Sequence, residues 1–166
     1  MAEELTITEA VEFAIATEEM GMRAYTGLAK RFSEEKQVSE AFALLAEDEK
    51  AHRAQFQALL DKVPPDEGVM TKDEKSRYLR AMAMSEFFRG DAGLVGLLDK
   101  AKSLEEALVQ VLGFEKATLG YYQAVKDVLG EAPALDSIIQ AEKGHIARLM
   151  QYILTGAKMR GLRDSV

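Results

Sequence analysis

The sequence predicts an all-α fold, a four-helix bundle of two antiparallel helix hairpins joined by a long crossover connection that contains a short helix. Three observations support this prediction. Only three prolines interrupt the 166 residues, and helix-forming residues are abundant. Helix start signals, serine or threonine followed three residues later by glutamate, recur along the chain. Each long segment has a stripe of apolar residues at alternating steps of three and four, which is the spacing of a bundle seam.

The start and stop signals place five helices in one domain that spans residues 1–166. Thr6 and Ser103 each open a helix, with a glutamate three residues on. Ser33, followed by two glutamates, is expected to open the second helix, and the prolines at 64 and 65 end it. We expect helices at about residues 7–32, 34–62, 73–89, 104–129 and 133–156.

The composition limits the class of protein. A net charge of −7 argues against nucleic acid as a partner. The lack of cysteine excludes disulfides, thiolate metal sites and iron–sulfur clusters within this chain. No apolar run approaches the ~20 residues of a membrane span, and the acidic N-terminus does not resemble a secretory signal. We therefore expect a cytoplasmic protein with no membrane or nucleic-acid partner.

Both histidines of the chain follow a glutamate by three residues, in Glu49-Lys-Ala-His52 and Glu142-Lys-Gly-His145. Both pairs lie on the apolar stripe of a predicted helix, where an unpaired charge is costly. Residues three apart share one face of a helix, so the two side chains of a pair can reach the same ion. The pattern therefore indicates metal binding more strongly than a surface ion pair.

Two further glutamates occupy the stripes of the first and third long helices. Tyr25 follows Glu18 by seven residues, and Tyr122 follows Glu115 by the same interval, so the two halves look like a duplicated hairpin. No lysine or arginine occupies these stripe positions to neutralise the carboxylates. Four carboxylates and two neutral imidazoles balance two divalent cations, and oxygen and nitrogen ligands suit iron, manganese or zinc.

Four segments carry a family resemblance: ATEEMGMRAYTGLA (16–29), LLAEDEKAHRAQF (44–56), GFEKATLGYY (113–122) and IIQAEKGHIARL (138–149). They resemble the rubrerythrin branch of the ferritin-like di-iron carboxylate superfamily. The resemblance implies a ferritin-like bundle with two iron ions as cofactor. It implies that Glu49 and Glu142 bridge the ions, that Glu18 and His52 complete one ion, and that Glu115 and His145 complete the other.

The chain departs from that family at two points. Rubrerythrins usually carry a rubredoxin-like iron–tetracysteine domain, and this chain has no cysteine to build one, so we expect a separate electron donor protein. Rubrerythrins also use an extra glutamate one turn after the third-helix ligand. Thr118 stands there, and Gly21 stands at the equivalent place in the first helix. Both are small, and we expect them to leave space beside the metals for O2 or peroxide.

Three neighbours of the expected ligands are candidates for a supporting role. Tyr25 and Tyr122 could supply protons, electrons or hydrogen bonds, or could be core tyrosines with one polar partner. Asp48 precedes Glu49 and could orient a ligand histidine or be an ordinary surface residue. The sequence leaves these alternatives open.

The resemblance favours a di-iron oxidoreductase that reduces peroxide or O2 with electrons from an external donor. Two alternatives stay open: a ferroxidase or other iron-handling protein, and a bundle that metal stabilises without turnover. By the same analogy we expect a homo-oligomer, in the simplest case a homodimer.

Overall fold

The described part of the chain contains four long helices. A computed structural model describes residues 6–63 and 100–163, and between them residues 74, 75, 77–79, 81 and 83, with side chains up to residue 156. The helices are α1 (Ile7–Arg31), α2 (Lys36–Leu60), α3 (Leu104–Leu129) and α4 (Pro133–Arg163). The short helix expected at 73–89 lies largely outside the described residues, although those described between 74 and 83 are helical. A single domain over residues 1–166 stays a prediction.

Side-chain caps begin α1 and α3 where the sequence predicts them. Oγ1 of Thr6 accepts a hydrogen bond from the N–H of Glu9 at 3.1 Å, and the carboxylate of Glu9 accepts one from the N–H of Thr6 at 2.7 Å. Oγ of Ser103 accepts a hydrogen bond from the N–H of Glu106 at 3.1 Å. Each cap provides an acceptor for a backbone donor that the first helical turn leaves unpaired.

The start of α2 differs from the prediction. The helix begins at Lys36, and the prediction that Ser33 opens it is wrong, because Ser33 lies in the turn that follows α1. The residue before the helix is Glu35, which makes no side-chain cap. A serine inside α2 instead links the hairpin, since the hydroxyl of Ser39 donates to the carbonyl oxygen of Ala29 at 2.7 Å.

The two glycines near the predicted ends of the last two helices, Gly130 and Gly156, behave differently. Gly130 follows α3 with a φ of 85°, a left-handed conformation that glycine adopts without steric cost and that ends the helix. Gly156 lies within α4, which continues to Arg163 and is therefore longer than predicted. Glycine inside a helix costs only about 1 kcal/mol, so this residue alone does not stop the helix.

The helices form a ring in which α1 contacts α2 and α3, and α4 contacts the same two helices. The hydroxyl of Tyr121, late in α3, donates to the carbonyl oxygen of Ala10, early in α1, at 3.0 Å. Phe114, earlier in α3, packs edge-on against Tyr25, later in α1, with ring centroids 6.2 Å apart. These contacts make α1 and α3 antiparallel. Because the short turn at 32–35 also makes α1 and α2 antiparallel, α2 and α3 run in the same direction, as a long crossover requires.

The core has apolar layers toward both ends and a polar layer between them. Leu28 and Phe42 are buried toward one end, and Val11 and Phe56 toward the other. The buried polar side chains of the four helices are Thr17, Glu18, Glu49, His52, Glu115, Thr118, Glu142 and His145. This confirms stripes that are apolar at their ends and ionisable in their middle. None of the described helices is both long and apolar enough to cross a membrane.

We expect Ser103→Ala to lower the free energy of unfolding by about 1 kcal/mol, because the N–H of Glu106 loses its acceptor at the start of α3. Ser33→Ala is the matched control, and it should change the free energy by less than about 0.5 kcal/mol, since Ser33 caps no helix. Urea unfolding followed by circular dichroism measures both values. Equal destabilisation by the two substitutions would contradict this assignment of the caps.

Candidate metal centre

Six ionisable side chains meet in the polar layer at the middle of the bundle, and each of these residues is at most 5% exposed. Their ligand atoms form two groups, and within each group these atoms lie within 4.8 Å of one another. The His52 group contains Glu18, Glu49, His52 and Glu142, and the His145 group contains Glu49, Glu115, Glu142 and His145. Glu49 and Glu142 belong to both groups, as expected of ligands that bridge two ions. The structure thus brings together all six residues that the sequence predicts as ligands.

In the His52 group, Nδ1 of the histidine faces three carboxylates. It lies 3.1 Å from Oε1 of Glu142 and 3.8 Å from Oε2 of both Glu18 and Glu49. This nitrogen has no aligned hydrogen-bond partner, and neither do Oε2 of Glu18 and Oε1 of Glu142. Three buried polar atoms from three helices therefore face one another without satisfying one another.

In the His145 group, Nδ1 of the histidine again faces the carboxylates. It lies 3.1 Å from Oε2 of Glu115, 3.6 Å from Oε1 of Glu49 and 3.7 Å from Oε2 of Glu142. The rings of His145 and His52 are stacked, with centroids 5.6 Å apart. The two groups are therefore adjacent as well as joined through shared carboxylates.

The donor set fits two divalent cations. Buried polar atoms without a partner cost free energy, and here Glu18, Glu49, His52 and Glu142 each leave one such atom inside the cluster. Within the described chain, the ion pairs of the four carboxylates are with histidine. Two cations would neutralise the four negative charges and give each unpaired atom a partner. Oxygen and imidazole donors suit iron, manganese and zinc.

Single glutamates on two helices and Glu-x-x-His on two others are the ligand pattern of ferritin-like di-iron carboxylate bundles. The chain matches the Rubrerythrin family over residues 9–153, which include all six side chains of the cluster. It belongs to the Rubrerythrin family. Membership supports a di-iron site at this cluster, in a family of proteins that are usually oxidoreductases.

The fold is also that of a solved structure. A putative ferritin-like diiron-carboxylate protein from Thermotoga maritima is 22% identical, and the match covers 92% of this chain and 97% of that one with a TM-score of 0.64. This likeness confirms the predicted ferritin-like fold. No curated protein matches the chain.

Without metal, protons balance part of the charge in this rubrerythrin-type cluster. Burial, together with repulsion from Glu49, raises the pKa of Glu18 and Glu115 well above the ordinary range of a glutamate. Burial opposes the charged form of the histidines, but their carboxylate partners raise the pKa of His52 to about 9 and that of His145 to about 11. The sites that metal would occupy therefore hold protons at neutral pH, and metal binding should release them.

The two tyrosines support the glutamate of the opposite half of the chain. The hydroxyl of Tyr122 donates to Oε1 of Glu18 at 2.5 Å, and the hydroxyl of Tyr25 donates to Oε1 of Glu115. Burial and the nearby carboxylates raise the pKa of both tyrosines well above the ordinary value, so both hydroxyls keep their protons. The sequence identified these tyrosines but could not say which glutamate each one contacts.

Asp48 contacts a histidine of the cluster. Its Oδ2 lies 3.1 Å from Nε2 of His145, the ring nitrogen on the side away from the carboxylates. The side chain of Asp48 is 38% exposed, whereas that of His145 is 2% exposed. Of the two roles left open for Asp48, the geometry is that of a carboxylate that orients a ligand histidine.

Gly21 packs closely against its neighbours, and Thr118 contacts the cluster, while the expectation of space for O2 or peroxide beside them stays a prediction. A Cβ atom on Gly21 would lie 3.2 Å from Cε1 of Phe114 and 3.4 Å from Cγ of Glu49, so the missing side chain allows close packing there. The hydroxyl of Thr118 lies 3.2 Å from Oε2 of Glu142 and 2.9 Å from the carbonyl oxygen of Glu115. The sequence showed that both residues are small, but not which groups they contact.

We expect the melting temperature of the metal-free protein to fall as pH rises from about 6.5 towards 9. Folding raises the pKa of Glu18, Glu115 and both histidines, so their contribution to stability is present at low pH and is lost as pH rises through the folded pKa values. Calorimetry of chelator-treated protein across this range measures the effect. A melting temperature that rises with pH would contradict the protonation of the cluster.

Glu142→Ala should abolish binding of two metals per chain, because both groups lose a shared ligand. Glu47→Ala is the matched control, since Glu47 lies on the same bundle with a side chain that is 72% exposed. Elemental analysis after loading with Fe(II) and desalting gives the metal content, and circular dichroism checks the fold. Retention of two metals with unchanged affinity in Glu142→Ala would show that this residue bridges nothing.

Proposed function

We propose that the protein is a di-iron oxidoreductase that reduces hydrogen peroxide or O2 and receives electrons from a separate donor protein. The observation that carries the proposal is the sharing of Glu49 and Glu142 between two complete ligand groups. Shared carboxylates would hold two ions side by side, so that one site would have two electrons available. We also propose iron as the resident metal and a cytoplasmic homo-oligomer as the working form.

Two Fe(II) ions bound there would together supply the two electrons that convert one peroxide and two protons into two water molecules, ending as two Fe(III) ions. The chain's own residues would hold and orient the metals and keep protons close to them. Tyr25 and Tyr122 each hold a proton on a hydroxyl that is hydrogen-bonded to a ligand carboxylate. The apolar layers at both ends of the bundle keep bulk water away from the cluster.

The source of electrons is proposed to lie outside this chain. The 166 residues contain no cysteine, so they cannot form the iron–tetracysteine centre that rubrerythrins usually carry as a donor. A donor protein would have to approach the bundle surface, from which the buried centre is separated by about one layer of helix.

The test begins with metal-free protein loaded anaerobically with two Fe(II) ions per chain. Addition of one equivalent of peroxide, or of O2, should produce the near-ultraviolet absorbance of Fe(III) within the mixing time or shortly after, and a chemical reductant should reverse it. Zinc-loaded protein is the inert control. Titration should end at one peroxide per chain, because each chain offers two electrons.

Two other outcomes would overturn the proposal in different ways. Uptake of many more than two irons per chain would point to iron handling, with ferroxidation serving storage or delivery. Iron that binds at two per chain but is oxidised by neither peroxide nor O2 would point to a bundle that metal stabilises without turnover.

A further inference from the structure

The two halves of the metal centre are related by an internal two-fold repeat. Glu18 and Glu115 correspond, as do Tyr25 and Tyr122, and each tyrosine donates to the glutamate of the other half. The Glu-x-x-His pairs of α2 and α4 also correspond. If the repeat held throughout, the His52 group and the His145 group would be supported equally. It fails at two places, and both failures favour the same group.

The first failure is at the outer nitrogens of the histidines. Nε2 of His145 has the carboxylate of Asp48 at 3.1 Å. Moving four residues forward on α2, from Asp48 to His52, corresponds to moving four back on antiparallel α4, from His145 to Ala141. Ala141 thus stands beside His52 in the register that Asp48 occupies beside His145, and it carries no acceptor. Among the described residues, no carboxylate contacts Nε2 of His52.

The second failure is at the shared carboxylates. Thr118 places its hydroxyl 3.2 Å from Oε2 of Glu142, the oxygen on the side of His145. The counterpart of Thr118 in the first half is Gly21, which packs against the Glu49 side chain but offers no hydroxyl. Both ligands on α4 therefore have a contact, from the Thr118 hydroxyl or the Asp48 carboxylate, for which the described residues show no equivalent at their counterparts on α2.

We infer that the two metal subsites are unequal, and that the subsite of His145 and Glu115 binds its ion more tightly and fills before the subsite of His52 and Glu18. Asp48 is the positioning residue that makes the difference. A carboxylate on the outer nitrogen fixes the ring orientation and the tautomer, so that Nδ1 presents its lone pair to the ion. Loss of such a partner typically lowers metal affinity 10–100-fold. The inference rests on the metal centre of the proposed function, but not on its redox chemistry.

The chain offers a direct readout because it has only two histidines, one in each subsite. Metal-free protein is titrated with Zn²⁺ while nuclear magnetic resonance follows the two imidazoles, which are assigned by comparison with metal-free His52→Gln. The signals of His145 should respond during the first equivalent and those of His52 during the second. Competition with a chelator should give two dissociation constants that differ by roughly tenfold or more.

Three variants at two positions test the cause. Asp48→Ala should weaken the first binding step roughly 10–100-fold, so that the two histidines respond together. Asp48→Asn keeps an acceptor for the ring N–H and should restore ordered filling in part. Ala141→Asp supplies the missing partner and should strengthen the second step. Glu47→Ala, an exposed substitution on the same helix, should leave both constants unchanged.

Simultaneous response of both histidines in the unmodified protein would overturn the inference. So would an Asp48→Ala titration that matches the Glu47→Ala control. Either result would leave the proposed oxidoreductase intact, because two equal subsites can still hold two irons. Conversely, ordered zinc binding together with iron that peroxide and O2 fail to oxidise would uphold the inference and overturn the proposed function.

Discussion

Four carboxylates are buried in one layer of the helical bundle, and the structure around them has to compensate their negative charge. Each buried charge costs several kcal/mol unless something of opposite sign or a hydrogen bond compensates it. The described chain offers these carboxylates imidazoles and hydroxyl groups. Protons complete the compensation in the metal-free protein, as the raised pKa values of Glu18 and Glu115 express. Apolar side chains close the layer above and below, so bulk water does not solvate the carboxylates. Two cations would compensate the charge of the four carboxylates.

Antiparallel pairing explains how six ligands and their supports arrive at one level. A tyrosine two helical turns after a glutamate cannot reach that glutamate along its own helix, but the opposing antiparallel helix brings it to the other glutamate. The same logic aligns Asp48 with His145. A single residue can then make the two halves of a repeated site unequal without disturbing the helices. Here the first half has Asp48 before its Glu-x-x-His pair, and the second half has Ala141 at the same place.

Much of this architecture could be predicted from local patterns, and the exceptions have physical causes. The apolar stripes of the predicted helices identified all six cluster residues, because an ionisable residue on an apolar helix face is costly unless it binds a partner such as a metal ion. The start of α2 was misplaced, since Ser33 resembles a cap but the chain is still turning there. Gly156 was predicted to end the last helix, but the helix continues through it. The sequence alone could not separate it from Gly130, because the two differ in backbone conformation. The surroundings of Gly21 depend on Phe114, which is distant in sequence, so the size of the glycine alone could not show whether the space beside it is empty.

The sharing of ligands also has a mechanical consequence. Neither hairpin contains a complete group: the His52 group needs Glu142 from the second hairpin, and the His145 group needs Glu49 from the first. An ion in either subsite would therefore join residues nearly a hundred positions apart in the folded chain. Because unfolding separates these ligands, the free energy of metal binding would add to the stability of the fold. Loading the centre would thus couple the two hairpins more tightly into one cooperative unit.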